Sequence, residues 1–191
     1  SSDLMHNVEN IMAAISAVIP EVSTDAIRYV AQTFEGVEHR IEFVREIDGV
    51  SFYNNSIGSS PTRTIASLKA FNRKVVLIAG GYDKNLSYDE MGEVLHDHVN
   101  ALVLMVDTAR KIEQAYRKYT DEVGIEPVPI IRVFKMEAAV KEALSLAGAK
   151  GIVLLSPASA SFDMYSNFME KGNHFKDIVN SLGEQKEIIQ K

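Results

Sequence analysis

The chain has 191 residues, with 20 Lys and Arg against 26 Asp and Glu, so its formal net charge is −6. With 46% hydrophobic and 24% charged residues, the composition is that of a globular protein and excludes disordered, collagen-like and coiled-coil chains. The absence of cysteine excludes disulfides, thiolate metal sites and cysteine nucleophiles. The acidic balance offers no basic stripe for nucleic acid, and no apolar run approaches the roughly 18 residues of a membrane helix. We therefore expect neither a nucleic-acid partner nor a membrane span.

Hydrophobic periodicity predicts two helices followed by alternating strands and helices. Apolar residues at three- and four-residue intervals predict half-buried helices over residues 7–19 and 23–36. The remaining predicted elements are, in chain order, strands at 41–44 and 50–53, a helix from 60, a strand at 75–79, a helix at 87–99, a strand at 101–106, a helix at 108–119, a strand at 130–134, a helix at 136–147, a strand at 151–155 and a helix at 171–191.

Continuous apolar strands between amphipathic helices are typical of a parallel sheet covered on both faces. The predicted fold is therefore α/β: a Rossmann-like, doubly wound, mostly parallel sheet preceded by a short helical hairpin. The change of pattern near Gly36 predicts a boundary, with residues 1–36 the end of a preceding domain and residues 37–191 the α/β domain. Ser87 to Glu90 has the spacing of a capping box at the start of its helix.

Ligands of open α/β sheets bind beyond the carboxyl ends of the strands, and three loops there have unusual content. Residues 54–61 are rich in Asn, Ser and Gly, which suits an anion or a sugar hydroxyl, although an ordinary turn would look the same. Residues 80–84 read Gly-Gly-Tyr-Asp-Lys, so Lys84 offers a cation at the sheet edge, or is a solvated turn lysine. This stretch matches neither a phosphate loop nor a dinucleotide fingerprint.

The third loop, residues 156–168, gives the strongest local signal. Small residues follow a buried strand, so the backbone can approach a ligand while Ser161 donates to it. The six-residue spacing of Phe162 and Phe168 predicts two anchors in the core. Histidines nowhere have metal-ligand spacing, and His96 and His98 cannot share a helix face, so no metal site is expected.

Together these segments resemble the Mur ligases of peptidoglycan synthesis, and specifically the branch that adds D-glutamate. The resemblance rests on the blocks His-Asn-Val-Glu-Asn (6–10), Glu-His-Arg-Ile-Glu (38–42), Asn-Ser-Ile-Gly-Ser-Ser (55–60), Ile-Ala-Gly-Gly-Tyr-Asp-Lys (78–84), Leu-Ser-Pro-Ala-Ser-Ala-Ser-Phe-Asp (155–163), Asn-Phe (167–168) and Gly-Asn-His-Phe (172–175).

The resemblance implies an ATP-dependent enzyme of three domains that adds D-glutamate to UDP-N-acetylmuramoyl-L-alanine through an acyl phosphate. Residues 1–36 would end the central domain, which binds ATP and Mg²⁺, and residues 37–191 would form the amino-acid-binding ligase domain. Because the phosphate loop, the Mg²⁺ ligands and the UDP site would lie outside this chain, the chain alone should be inactive. We expect a cytoplasmic protein and a monomer.

The resemblance also implies roles for individual residues, none of them catalytic. Its D-glutamate-binding positions are Lys84, Ser59, Ser161, Phe162 and Phe168. Its ATP-binding positions are Asn7, Asn10, Arg40 and Asn55.

This sequence departs from the family pattern in places. Asn55 and Ile57 stand where many relatives have an acid and a lysine, and Ser159 stands where they often have cysteine, which we expect to be a packing change. Two other hypotheses stay open: another Mur or folylpolyglutamate-type ligase domain, or a non-catalytic α/β module that binds a nucleotide or a protein.

Overall fold

The computed structural model describes the backbone of residues 5–19, 21–34 and 36–189 and the side chains of residues 11–19, 21–34 and 36–184. Its helices are α1 (Met5–Val18), α2 (Thr24–Thr33), α3 (Pro61–Leu68), α4 (Met91–His98), α5 (Ala109–Val123), α6 (Met136–Ala147) and α7 (Phe168–Ile189). Its strands are β1 (Glu42–Ile47), β2 (Val50–Asn54), β3 (Val75–Gly80), β4 (Val99–Met105), β5 (Ile130–Val133) and β6 (Ile152–Leu155). The chain divides into two compact units, Ser1–Val37 and Glu38–Lys191.

The first unit carries α1 and α2. Ser23 caps α2, because its Oγ accepts the Ala26 N–H at 3.3 Å. The helix ends at Thr33, before the predicted end at Gly36, and none of its residues is buried, although its apolar spacing predicts a buried face. Among the described residues, no helix of the chain has both the length and the apolarity needed to cross a bilayer.

The second unit is a six-stranded sheet in the order β1-β2-β6-β3-β4-β5. β1 pairs with β2 antiparallel and every other pairing is parallel, which confirms the predicted mostly parallel α/β fold. The β1–β2 connection turns at Asp48 and Gly49, both with positive φ (53° and 78°), as a two-residue hairpin turn requires.

Helices cover both faces of the sheet and form two buried layers. Successive residues of β3 point to opposite faces, so Leu77 packs with α4 and α5, whereas Ile78 packs with α6 and α7. Phe175 and Val179 of α7 are fully buried in the second layer, as the periodicity of the last helix predicts. That helix begins at Phe168, earlier than predicted.

The prediction of a capping box at Ser87 is wrong. α4 begins only at Met91, and Glu90 caps it without a side-chain hydrogen bond. The Ser87 Oγ instead donates to the Asp89 carboxylate at 3.0 Å and accepts the Asp89 N–H at 3.3 Å. Tyr88 lies in the core with 3% of its surface exposed, which holds the segment in a turn that leads from β3 to α4.

Candidate functional site

Three adjacent strands bring the candidate loops to one edge of the sheet. β2, β6 and β3 lie side by side and parallel. The loops that follow them are here called the asparagine loop (residues 55–60), the serine loop (residues 156–167) and the glycine loop (residues 81–90). Because parallel strands end at the same edge, these loops lie next to one another, as the carboxyl-end rule predicts.

Backbone hydrogen bonds join the serine loop to both of its neighbours. The Ala158 N–H donates to the Gly58 carbonyl of the asparagine loop at 2.8 Å. On the other side, the Tyr82 N–H of the glycine loop donates to the Ala160 carbonyl at 2.9 Å. The packing at Gly58 is so close that a Cβ there would lie 2.6 Å from the Ser156 Oγ. The three loops therefore form one hydrogen-bonded surface.

The turn at the end of β3 uses its backbone donors within the protein. The Gly80 N–H donates to the Pro157 carbonyl at 2.8 Å, and the Gly81 N–H donates to the Thr108 Oγ1 at 3.0 Å. With the Tyr82 N–H bound to the serine loop, three successive N–H groups are occupied. A ligand bound here must therefore be recognised by side chains, and not by a cradle of these amides.

Ser159 connects the loops through a buried chain of hydroxyl groups. Its Oγ lies 2.8 Å from the Tyr88 hydroxyl and 2.8 Å from the Thr108 Oγ1, and the Thr108 hydroxyl donates to the Gly81 carbonyl at 3.1 Å. Ser159 is thus a hydrogen-bonding centre, and the expectation of a packing change alone was wrong. Sequence reasoning missed it because its partners lie 71 and 51 residues away in the chain.

Ser161 holds a buried hydroxyl that nothing in the described chain satisfies. The residue is 3% exposed, and its Oγ has no hydrogen-bond partner among the described residues. Its carbonyl accepts the Tyr165 N–H at 3.0 Å, which fixes the start of the turn after it. Buried polar groups are almost always hydrogen-bonded, so an unpartnered hydroxyl in a loop cluster points to a ligand.

Lys84 contributes an exposed positive charge on the glycine loop and makes no ion pair within the described chain. Its neighbour Asp83 does not cancel that charge, because Asp83 is paired with Lys111 and accepts the Asn85 N–H. The hydrogen bond from Lys111, together with that from the Asn85 backbone, holds the pKa of Asp83 below its ordinary value. Lys84 is therefore available to an anionic ligand.

Ser59 lies half-buried on the asparagine loop, where its N–H donates to the Ile57 carbonyl at 2.8 Å. Phe162, within the serine loop, and Phe168, the first residue of α7, differ in their surroundings. Phe168 is half-buried and meets His39 edge-on, with ring centroids 5.8 Å apart. Phe162 is 63% exposed and packs edge-on against Tyr82 at 6.2 Å, so the prediction that it is a core anchor is wrong.

A strained turn presents Arg40, which is exposed. The residues on either side, His39 and Ile41, have φ of 65° and 49°, which is unusual for any residue other than glycine and especially for a β-branched one. The Glu42 carboxylate accepts the His39 N–H at 2.9 Å and stabilises the turn from one side. Strain of this kind is typical of functional sites, so the turn is a candidate position for Arg40 to meet an anion.

Asn55 supports the same turn from the other side. It is 2% exposed, its side-chain oxygen accepts the Ile41 N–H at 3.3 Å, and its amide donates to the hydroxyls of Ser67 (2.7 Å) and Ser156 (2.9 Å). The side chain is thus engaged within the protein. The side chains of Asn7 and Asn10, on α1, lie outside the described residues.

His39 is a buried, neutral imidazole in this region. Its Nδ1 lies 2.9 Å from the Asn54 amide nitrogen, which donates and thereby places the ring proton on Nε2. Burial lowers the pKa of His39, and the nearby positive charge of Lys176 adds to that effect. Among the described residues, no group of three or more acidic or histidine side chains could hold a metal ion.

The family model described as "Mur ligase, glutamate ligase domain" matches residues 39–159 of this chain. The chain is 57% identical over 179 residues to the UDP-N-acetylmuramoylalanine--D-glutamate ligase of Acetivibrio thermocellus, a match that covers 93% of this chain and 38% of that relative. It is 52% identical over 178 residues to the protein of the same name from Clostridium beijerinckii, covering 93% of this chain and 39% of the relative. The chain therefore spans well under half the length of these curated relatives.

Two solved structures share the fold. A pseudomurein peptide ligase type C from Methanothermus fervidus superposes with a TM-score of 0.63 at 17% identity, over 94% of this chain and 36% of that one. A murein peptide ligase from Psychrobacter arcticus gives 0.52 at 15% identity, over 93% of this chain and 36% of that one. Because the family model matches more than half of the chain, including all six strands of the sheet, the chain belongs to the Mur ligase family, as the sequence resemblance predicts.

Proposed function

We propose that this chain is the amino-acid-binding part of an ATP-dependent ligase that adds D-glutamate to UDP-N-acetylmuramoyl-L-alanine. The family match and the names of the relatives support this function. The observation that carries it is the buried, unpartnered hydroxyl of Ser161, on a loop that is hydrogen-bonded to the loop bearing Lys84. A hydroxyl donor and an unpaired ammonium group are the groups that a small dicarboxylate requires.

D-glutamate carries two carboxylates, and the protein around the site has a net charge of −6. Binding therefore needs a local cation and aligned donors. In our proposal Lys84 supplies the cation, and the hydroxyls of Ser59 and Ser161 supply donors. Phe162 lies within the serine loop and Phe168 directly follows it, and the backbone near both residues would contribute the remaining contacts. These groups hold carboxylates that do not react, so their task is orientation.

The proposal also assigns nucleotide-binding roles to four residues of the chain. By the family resemblance, Asn7 and Asn10 would lie beside adenine, and Arg40 and Asn55 would face ribose and phosphate. Residues 1–36 would complete a preceding ATP-binding domain, and residues 37–191 would form the ligase domain. The whole enzyme would be a cytoplasmic monomer that binds ATP and Mg²⁺ through that preceding domain.

In the proposed reaction, ATP bound with Mg²⁺ in the preceding domain would transfer its terminal phosphoryl group to the carboxylate of UDP-N-acetylmuramoyl-L-alanine, which gives an acyl phosphate and ADP. The residues of this chain then hold D-glutamate with its amine facing the acyl carbon. A C–N bond forms, the bond from that carbon to the phosphate oxygen breaks, and the nitrogen loses its proton. No residue of this chain is assigned the proton transfer.

A titration of the chain with D-glutamate, followed by heteronuclear NMR, tests the site. The amide signals of Lys84 and Ser161 should shift with D-glutamate and not with L-glutamate. Lys84→Ala and Ser161→Ala should weaken the response about tenfold or more. Lys150→Ala is the matched control, because Lys150 precedes β6 and so lies at the opposite edge of the sheet. Equal responses to both enantiomers would contradict the proposal.

A ligase assay compares the activity of the chain alone with that of the longer protein. The chain alone, supplied with ATP, Mg²⁺ and both substrates, should release no phosphate. In the longer protein to which we propose it belongs, Lys84→Ala should raise KM for D-glutamate and leave KM for ATP nearly unchanged. Phosphate release by the chain alone, or a Lys84→Ala effect confined to ATP, would contradict the proposed division of roles.

A further inference from the structure

Lys171 is a buried lysine that the proposed site does not use. It lies in the first turn of α7, and only 1% of its surface is exposed. Lysine is almost never buried so completely unless its ammonium group is paired, because removing the charge from water is costly. Burial lowers the pKa of Lys171, and the negative charge of Asp163 opposes that effect. The burial of Lys171 therefore indicates a specific role for its ammonium group.

The ammonium group of Lys171 contacts the turn that ends β3. Its Nζ donates to the Gly80 carbonyl at 3.1 Å. The same turn lies so close to Lys171 that a Cβ on Gly81 would be 3.0 Å from Nζ and 2.2 Å from the Ala160 carbonyl oxygen. Gly80 itself has φ of +117°, a conformation that residues other than glycine rarely adopt. Lys171 thus provides a charged hydrogen bond to the backbone four residues before Lys84.

Lys171 also acts on the serine loop. Asp163, two residues after Ser161, has both carboxylate oxygens buried, and neither has a well-formed hydrogen bond in the part of the chain that the structure describes. Burial raises the pKa of Asp163, while the positive charge of Lys171 opposes the rise. The Tyr165 ring lies 5.8 Å from the Lys171 Nζ, so a second residue of this loop borders the ammonium group.

We propose that Lys171 is a positioning residue of the amino-acid site. Its ammonium group fixes the Gly80–Gly81 turn against the serine loop, and so it sets the relative positions of Lys84 and Ser161. The identity of the ligand in this inference rests on the proposed function, whereas the link between the two loops rests on the contacts of Lys171 alone.

Hydrogen exchange of the unliganded chain tests the structural half. The Gly80 and Tyr82 amides donate to the serine loop, so Lys171→Met should lower their protection about tenfold or more. The matched control is Lys176→Met on the same helix, because Lys176 pairs with Glu38 and Glu42 and not with either loop. Lys171→Arg, which keeps a cationic donor, should restore much of the protection. If Lys171→Met does not fold, Lys171→Gln replaces it with the same expectations.

D-glutamate binding to the same variants tests the functional half. Lys171→Met should weaken binding about tenfold or more while its unfolding remains cooperative, and Lys176→Met should bind like the parent chain. Unchanged protection in Lys171→Met, or lost protection with unchanged D-glutamate affinity, would overturn the inference. A parent chain that shows no response to D-glutamate would instead count against the proposed function, and the exchange data would then decide whether Lys171 holds the turn.

Discussion

The side-chain oxygen of Asn55 accepts the backbone N–H of Ile41 at 3.3 Å, and so joins the asparagine loop to the strained turn that presents Arg40. Asn55→Leu would leave this N–H without its side-chain acceptor and would remove the donor to the Ser67 and Ser156 hydroxyls, at a cost of about 2 kcal/mol or more. We expect a clear fall in the urea unfolding midpoint.

Asn55→Asp provides the control for that prediction. An aspartate still accepts from Ile41, and hydroxyl groups can rotate to donate to it. We therefore expect Asn55→Asp to unfold at a midpoint much nearer to that of the parent chain than Asn55→Leu does. Equal losses in the two variants would contradict a hydrogen-bonding role for Asn55.

Gly172 and Gly183, both on α7, should respond in opposite ways to alanine. A Cβ at Gly172 would lie 2.4 Å from the His39 Nδ1 and 2.4 Å from the Ser56 Oγ, both buried, so Gly172→Ala should destabilise by about 2 kcal/mol or more. At Gly183 the near atoms all belong to the end of the Arg45 side chain, which can move, so Gly183→Ala should be neutral or gain up to about 1 kcal/mol of helix propensity. Thermal unfolding of both variants checks this contrast.

The Tyr88–Ser159 hydrogen bond should appear as a coupling energy. Tyr88→Phe and Ser159→Ala should each destabilise by about 1 to 2 kcal/mol, because each removes a buried hydrogen bond. Ser159→Ala leaves the Tyr88 hydroxyl without this partner, and Tyr88→Phe leaves Ser159 bonded to Thr108 only. The double variant should lose less than the sum of the two, since both changes remove the same bond. A strictly additive double variant would contradict the hydroxyl chain through Ser159.

Glu113 should contribute a pH-dependent part of the stability. The residue is only 8% exposed, and this burial alone would raise its pKa. Hydrogen bonds from Arg132 (2.6 Å) and Arg117 (2.8 Å) outweigh the effect of burial, so the pKa of Glu113 lies below the ordinary value of 4.5. Since the folded pKa is below that of the unfolded chain, the contribution is complete above about pH 4.5 and is lost as the pH falls through the folded pKa.

The measurement is urea unfolding of the parent chain and of Glu113→Gln at a series of pH values. The gap in unfolding midpoint between the two should be widest near neutral pH and should narrow below about pH 4.5. Near neutral pH, Arg132→Met, which removes one of the two partners of Glu113, should have an unfolding midpoint between those of the parent chain and Glu113→Gln. A gap that stays constant through this range would contradict the assignment.

The regular elements were largely predictable because each depends on a local pattern. The helix predicted at 136–147 is α6 (Met136–Ala147), since its apolar residues repeat at helical spacing and bury one face. At Ser87 the local pattern failed, because Tyr88 packs in the core and its hydroxyl binds Ser159, 71 residues later. Contacts of that range override a capping signal worth about 1 kcal/mol.

For the site, the sequence could predict the meeting of the loops but not the contacts that hold them. Lys84 and Ser161 follow parallel strands, and the ends of such strands converge. Lys171 follows no such rule, since a lysine on a helix is usually solvated and its burial here depends on packing against a turn 91 residues earlier. The left-handed conformation of Ile41 could not be predicted from the sequence either, because isoleucine disfavours this conformation.

The occupied amides of Gly80, Gly81 and Tyr82 bear on how such a pocket can change its preference. Because these N–H groups are not free to bind a ligand, side chains determine which ligand the pocket selects. Substitutions of those side chains can therefore change the ligand preference without disturbing the turn. The same arrangement makes that turn intolerant of insertion, because a single added residue would break its links to the serine loop.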